Sequence, residues 1–221
     1  MLGIVFTGGN GPPPQTIRRL IGGKDALLVA ADSGLVLAEE AGFRPGWITG
    51  DMDSLDDDSR LSGYPPHCVM RHGTDKDFTD TELALSLVTE KGGDEIWIIG
   101  GGGGRIDHLF GIRSLFERDV FPCRWVTDAA DIRCIDSGAA QRELSLRPEV
   151  GALVSVFPLG SGPWKAHSEG LKWPLDGLSW NRGFFGLSNE VAQGPFSIRA
   201  EAGRFMVIIP FPPGQEGQCL Q

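Results

Sequence analysis

Four segments in the first half of the chain bring carboxylates, cations and glycines to the ends of short apolar runs. They read Ala31-Asp32-Ser33-Gly34, Gly50-Asp51-Met52-Asp53-Ser54, Asp75-Lys76-Asp77-Phe78-Thr79-Asp80, and Gly100 to Gly104 followed by Arg105-Ile106-Asp107-His108. Dealt out to successive loops, these residue types supply what a Mg²⁺–nucleotide site requires. Carboxylate oxygens ligate a hard cation, glycine backbone approaches phosphates closely, and Lys or Arg meets the phosphate charge.

Asp51 and Asp53 follow Trp47-Ile48-Thr49. In extended backbone, residues i and i+2 project to the same side, so both carboxylates can converge on one cation; a solvated turn is the plainer alternative. An aspartate at a helix start complements the helix dipole, which accounts for Asp80 taken alone. Asp75, Asp77 and Asp80 together with Lys76 exceed that need, and Lys76 suits either a phosphate or an ion pair. The run Gly100 to Gly104 lacks the Gly-Lys-Ser/Thr ending of a P-loop. It also fails G-x-G-x-x-G, because the third glycine position falls on Arg105, Ile106 or Asp107 in every register. Arg105 can bind phosphate or ribose, or pair with Asp107. The four histidines show no ligand spacing, and His108 beside Asp107 has no accompanying nucleophile motif, which disfavours hydrolase-triad chemistry. In the second half, Gly170-Leu171-Lys172-Trp173-Pro174-Leu175 and Gly186-Leu187-Ser188-Asn189-Glu190 stand out. Trp173 is either core or a stacking platform for an aromatic or cationic ring.

The elements that must position these residues follow from periodicity. Leu2 to Phe6, Ala26 to Ala30 and Glu95 to Ile99 are short continuous apolar runs ending in glycine or aspartate, as buried strands do. Thr79 and Glu82 have capping-box spacing, and Leu83, Ala84, Leu87 and Val88 then make one apolar helical face. Ile106, Leu109, Phe110, Arg113 and Leu115 continue helically from the glycine run. Alternating strands and helices predict an α/β domain with a mostly parallel sheet over residues 1–136, whose ligands bind beyond the carboxyl ends of the strands. After Asp136-Ser137-Gly138 the pattern changes to Arg142 to Leu146, Leu153 to Phe157, Phe196 to Ala200 and Phe205 to Ile209, separated by glycine and proline turns. This predicts an all-β, sandwich-like domain over 137–221, with a loose tail from Pro212.

With 221 residues the chain can bury a proper core. A net charge of −9 argues against nucleic acid, which needs a basic stripe, but not against a nucleotide that brings its own metal, and it favours a cationic second substrate. Cys68, Cys123, Cys134 and Cys219 have neither zinc nor secreted-scaffold spacing, the first residues lack a basic leader, and no run is long enough to span a membrane. A cytoplasmic protein is expected.

In this order the segments resemble the thiamine pyrophosphokinases (thiamine diphosphokinases) of the bacterial type, nearly end to end. Each piece is weak alone; their joint order is specific. The resemblance implies an α/β catalytic domain, a β-domain that helps bind thiamine, and a homodimer with active sites between subunits. It implies transfer of pyrophosphate from ATP to thiamine, with Mg²⁺, giving AMP and thiamine diphosphate. By motif, Asp51, Asp53 and Asp80 would be the catalytic, metal-holding set. Asp32, Lys76, Asp77, Thr79, Gly102, Gly103, Gly104, Arg105 and Asp107 would lie on the ATP side, and Trp173, Ser188 and Asn189 would face thiamine. The attacking alcohol needs a proton acceptor, and Asp80 is the expected one. Two positions depart from the usual pattern: Ile112, where an asparagine is common, and Ser33, in place of glycine. Other readings are a hydroxymethylpterin pyrophosphokinase of similar fold, a non-catalytic nucleotide or thiamine sensor, and a metal-dependent phosphohydrolase. The segments around Trp173 and Asn189 speak against the first, and the full carboxylate set speaks against the second.

Overall fold

The structure, a computed structural model, describes residues 1–53, 58–73, 75 and 77–212. It divides into an N-terminal unit, Met1–Leu115 with Trp125–Asp128, and a C-terminal unit, Phe116–Arg124 with the chain from Ala129 onward.

The N-terminal unit is built on β1 (Leu2–Thr7), β2 (Ala26–Ala31), β3 (Trp47–Gly50), β4 (Val69–Arg71), β5 (Glu95–Gly100) and β6 (Arg124–Val126), in the spatial order β6-β5-β1-β2-β3-β4. The pairs β1–β2, β1–β5, β2–β3 and β3–β4 are all parallel. Ile4, Val5, Phe6, Ile98 and Ile99 are fully buried, which is why β1 and β5 read as unbroken apolar runs rather than alternating ones. Helices α1 (Pro14–Ile21), α2 (Gly34–Glu40), α3 (Asp80–Glu90) and α4 (Ile106–Leu115) provide the crossovers and the helical cover. Pro14 begins α1, where its missing N–H costs nothing. Helix α3 starts from the full capping box: Thr79 Oγ1 accepts from Glu82 N at 3.3 Å while Glu82 Oε2 accepts from Thr79 N at 2.8 Å. Helix α2 starts against β1 so closely that a Cβ on Gly34 would lie 2.2 Å from Phe6 O.

The C-terminal unit is a sandwich of two antiparallel sheets. Strands β7 (Ala130–Asp136), β9 (Leu153–Leu159), β11 (Gly186–Glu190) and β13 (Arg204–Pro210) form one, in the order β11-β9-β13-β7. Strands β8 (Glu143–Leu146), β10 (Lys165–Glu169) and β12 (Phe196–Ala202) form the other, in the order β10-β12-β8. Leu144, Leu146, Phe196, Ile198 and Ala200 from the smaller sheet meet Val154, Val156, Phe205 and Val207 from the larger in one core, and Trp180 packs edge-on against Phe205 there. Each fully buried Phe or Ile contributes about 1.5–3 kcal/mol. Strand β7, just before the boundary expected after residue 136, pairs antiparallel with β13 along its whole length, Ala130 to Asp136, and groups with the C-terminal unit by its contacts.

One charge cluster is sealed inside this unit. Asp131 on β7 is 0 % exposed and takes bidentate bonds from Arg124 (3.0 and 2.7 Å) and from Arg133 (2.9 and 2.9 Å). Burial alone would push its carboxyl up; the two guanidinium groups outweigh this and hold it below the usual carboxylate range. A depressed folded-state value means that the group's stabilisation is present above the ordinary aspartate value of about 4 and is lost as pH falls. Asp131→Ala, which takes the shared carboxylate from buried Arg124 and half-buried Arg133, is expected to destabilise by about 3–5 kcal/mol in urea unfolding at pH 7. The gap from the parent should narrow as the titration is repeated at progressively lower pH.

Candidate active site

The carboxyl ends of the parallel strands gather the site. Asp32 follows β2, Asp51 follows β3, and Asp80 is the first residue of α3. One oxygen from each of Asp32, Asp51 and Asp80 lies within 4.8 Å of the others, and all three are half-buried. Asp32 sits at φ 50°, and its N–H donates to Thr49 O at 2.9 Å, which ties it to β3. Gly50, at φ 153°, admits the approach: a Cβ there would stand 3.2 Å from Asp80 Oδ1 and 3.2 Å from the Asp32 Cβ. An all-oxygen set this tight fits a hard divalent cation.

Asp53 stands outside the three. Met52 turns the backbone at φ 67° and buries its side chain with Leu61 and Tyr64, so the extended register that would aim Asp51 and Asp53 together is broken. Asp53 is exposed, and its N–H donates to Asp51 Oδ1 at 3.2 Å. Asp32, expected only on the nucleotide side, occupies the third place. Asp77 is exposed and Thr79 caps α3; Ser54 and Lys76 lie outside the described residues.

Beside the carboxylates is a cavity of about 650 Å³, lined by Asp32, Thr79 and Asp80 on one side and by Gly101 to Gly104, Arg105, Asp107 and His108 on another. Its apolar wall is Ile112 and Leu115 of α4. The glycine loop is held from behind. Asn10 and Gly102 exchange backbone hydrogen bonds (2.6 and 2.8 Å), and Asn10 Nδ2 donates to Asp128 Oδ2 at 3.0 Å. A Cβ on Gly102 would strike Asp128 Oδ1 at 2.3 Å, whereas Gly104, at φ 62°, faces open space. Arg105 and Asp107 form an exposed bidentate pair (3.2 and 2.6 Å), and the hydrogen bonds between them raise the arginine and lower the aspartate from their usual ranges. A solvent-exposed pair of this kind adds little stability and opens readily to a ligand. Two further cavity residues gave no sequence signal: Thr7, at the end of β1, and Thr81, next to Asp80, share a hydrogen bond of 2.7 Å.

In the C-terminal unit Trp173 is 52 % exposed, so it is not core. Lys172 Nζ stands 4.5 Å from the ring centroid and pairs with Glu190 at 2.8 Å. Asn189 is only 6 % exposed. Its Oδ1 accepts from Trp173 N (3.2 Å) and Glu190 N (2.8 Å), and its Nδ2 donates to Trp173 O (2.6 Å). The asparagine therefore clamps both polar groups of the tryptophan backbone. The same loop is tied further on, where the Asp176 carboxylate meets the His167 ring and Ser168 Oγ accepts from Leu175 N at 2.8 Å. The hydrogen bond to Asp176 leads in raising the His167 value and lowering that of Asp176. Ser188 is exposed at φ 57°, with its N–H on Ser155 Oγ at 3.1 Å.

A parallel α/β unit carries carboxylates and a glycine loop at its strand ends, a set suited to phosphoryl-transfer chemistry, and a β-sandwich that leaves Trp173 half-exposed follows it. Comparison with known proteins specifies the chemistry. The profile of the thiamin pyrophosphokinase catalytic domain matches residues 19–121, and that of the thiamin pyrophosphokinase vitamin B1 binding domain matches residues 142–204. A thiamine pyrophosphokinase of Bacillus subtilis is 29% identical over 198 residues, covering 85% of this chain and 91% of its own. Among solved structures, the thiamin pyrophosphokinase of Geobacillus thermodenitrificans superposes with a TM-score of 0.74 at 27% identity, covering 97% of this chain and 100% of the other. The Bacillus subtilis structure gives 0.76 at 25% identity, with 95% and 98% covered. The chain belongs to the thiamin pyrophosphokinase family. It is accordingly a thiamine diphosphokinase, transferring pyrophosphate from ATP to the hydroxyl of thiamine.

The clamp makes a prediction that separates Asn189 from Trp173. Asn189→Ala leaves a backbone N–H and C=O of Trp173 without partners and is expected to cost about 1–3 kcal/mol in urea unfolding. Trp173→Ala, which removes a half-exposed ring, should fall well short of the roughly 3–5 kcal/mol of a buried aromatic truncation.

Proposed function

We propose that Asp32, Asp51 and Asp80 hold the Mg²⁺ of this reaction, that ATP lies in the adjoining cavity under Gly102, Gly103 and Gly104, and that thiamine stacks on Trp173. The observation that carries this reading is the convergence of three carboxylate oxygens within 4.8 Å of one another at the mouths of the parallel strands. When bound, Mg²⁺ neutralises polyphosphate charge and orients it for in-line displacement. The chain's own residues do the rest. Backbone N–H groups of the glycine loop meet phosphate oxygens, and Arg105 turns from Asp107 toward the nucleotide. Ile112 and Leu115 provide the apolar wall for a base. Asp80, carried on the capped start of α3, accepts the proton of the thiamine alcohol as it attacks the β-phosphorus and AMP leaves. Positioning and charge carry such a step, which asks for little covalent help.

The face of Trp173 already attracts one cation, Lys172, and a thiazolium offers the same charge to the same ring. Ser188 is the exposed hydroxyl beside the clamp, while Asn189 works through the tryptophan backbone. A homodimer with active sites built from both subunits is part of this reading, as is a cytoplasmic location. The free thiols Cys68, Cys123 and Cys134 support the latter, and no helix among the described residues is long and apolar enough to cross a membrane.

Steady-state kinetics with MgATP and thiamine, following AMP and thiamine diphosphate together, tests the whole. Asp51→Asn and Asp80→Asn should each lower kcat at least about a hundredfold with the fold intact, the scale of losing one electrostatic stabiliser. Asp53→Asn, outside the cluster, should lose far less. If Asp53→Asn instead matches the other two, the metal set must be redrawn around it. On the thiamine side, Trp173→Ala should raise KM for thiamine and leave KM for ATP near the parent value. Equal rises in both constants would remove the stacking role.

A further inference from the structure

The pair Thr7–Thr81 has more hydrogens than it uses. Thr7 is 6 % exposed and Thr81 is 9 % exposed; both line the cavity, and their Oγ1 atoms are 2.7 Å apart. Two hydroxyls carry two hydrogens, and the bond between them consumes one, whichever threonine donates. Among the described residues neither hydroxyl has a second hydrogen-bond partner. The usual outlet for a helical hydroxyl is the carbonyl one turn back. On the same helix Ser86 takes it to Glu82 O (3.0 Å) and Thr89 to Leu85 O (3.0 Å). Thr81 stands too early for this, because α3 begins at Asp80 and the residue four back, Asp77, precedes the helix. Thr7 ends a strand whose carbonyls are engaged in the parallel ladder. One O–H is therefore left without a protein acceptor among the described residues, on a pair that lines the cavity.

We propose that the Thr7–Thr81 pair donates this hydrogen to a phosphate oxygen of the nucleotide, as a binding element additional to the carboxylates and the glycine loop. The inference rests on the reading that this cavity receives ATP. Its chemistry suits a polyphosphate. Asp32, Asp80 and Asp107 give the cavity an acidic lining, so an anion entering it needs donors, and the start of α3 supplies a favourable dipole at the same place. The two hydroxyls are interchangeable in this role, since either can keep the mutual bond while the other turns outward.

Valine keeps the shape of threonine and removes the hydroxyl, so the test uses Thr7→Val, Thr81→Val and the double variant. In each single variant the surviving hydroxyl is released to the ligand, and KM for ATP should stay within about threefold of the parent. In the double variant no donor remains, and KM for ATP should rise at least about tenfold, the scale of a hydrogen bond to a charged group. KM for thiamine should stay unchanged. Melting temperatures should run the other way, with the double variant no less stable than either single, because it leaves no orphaned hydroxyl. Replacing both residues with serine should return KM for ATP to near the parent value. If the pair is only a tether between β1 and α3, the single variants will match the double in KM and melting temperature, which overturns the proposal. A double valine variant that fails to fold overturns it equally. Asp32→Asn, measured in parallel, keeps the two levels apart. If Asp32→Asn impairs ATP use and the double valine variant does not, the donor role fails and the ATP cavity stands. If neither affects it, the cavity assignment fails as well.

Discussion

Three carboxylates held with their oxygens inside 4.8 Å repel one another, and the N-terminal unit is arranged around keeping them there. Two unit charges at about 4 Å interact by roughly 1 kcal/mol in water and about 4 kcal/mol at an effective dielectric near 20, so no side-chain preference would gather them unaided. The backbone does it instead. Parallel strands β2 and β3 end side by side, and the ladder bond from Asp32 N to Thr49 O carries their pairing one residue past β2. Gly50 leaves room for Asp80 to approach, and the Thr79–Glu82 box fixes where α3 begins, hence where Asp80 stands. The repulsion stored in such a cluster is of the kind a divalent cation would relieve, which is the physical basis for proposing a metal there.

The C-terminal unit solves a different problem, that of presenting a large aromatic ring to solvent without letting it collapse inward. Trp180 shows the ordinary outcome, packed edge-on to Phe205 in the sandwich core. Trp173 is kept from it by its backbone. Its N–H and C=O are both spoken for by the buried Asn189 amide, and the following residues are pinned through Leu175 and Asp176. The hydrophobic gain of burying the ring is thereby outweighed by the polar bonds that burial would break. A ring held this way is preorganised, so that little ordering would be needed for a ligand to stack on it as proposed.

What the sequence disclosed divides along physical lines. Strands buried on both faces, such as Leu2–Thr7 and Glu95–Gly100, are continuous apolar runs and were legible, as was the start of α3, because a capping box is a local signal. Strand β7 has a run like that of any buried strand, and its long-range pairing with β13 has no local signature. The site was legible by residue type and less so by geometry. Asp51 and Asp53 are two residues apart, but a left-handed Met52 with a buried side chain separates them, and backbone sign at a non-glycine residue has no sequence mark. Asp32 reaches the cluster by the register of β2 against β3, and Thr7 reaches Thr81 across 74 residues; neither contact has a local signature.

The glycine run illustrates why no standard nucleotide motif is found where one would be expected. Spaced motifs such as G-x-G-x-x-G record three close approaches separated by positions that tolerate side chains. Here the close approaches come one after another. The wall formed by Ile112 Cδ1 stands 2.4 Å from where a Gly101 Cβ would be, Asp128 fills the space behind Gly102, and the Asn10 amide fills that beside Gly103. Only Gly104 is free of neighbours, and its left-handed backbone imposes glycine for a separate reason. Ile112 is buried, stands against Gly101 of this loop and lines the cavity. Its contribution is to fix the loop by packing rather than by hydrogen bonding. Loop and wall therefore form one fitted surface, in which the glycines exist because the isoleucine, the asparagine and the aspartate already occupy the places their side chains would take.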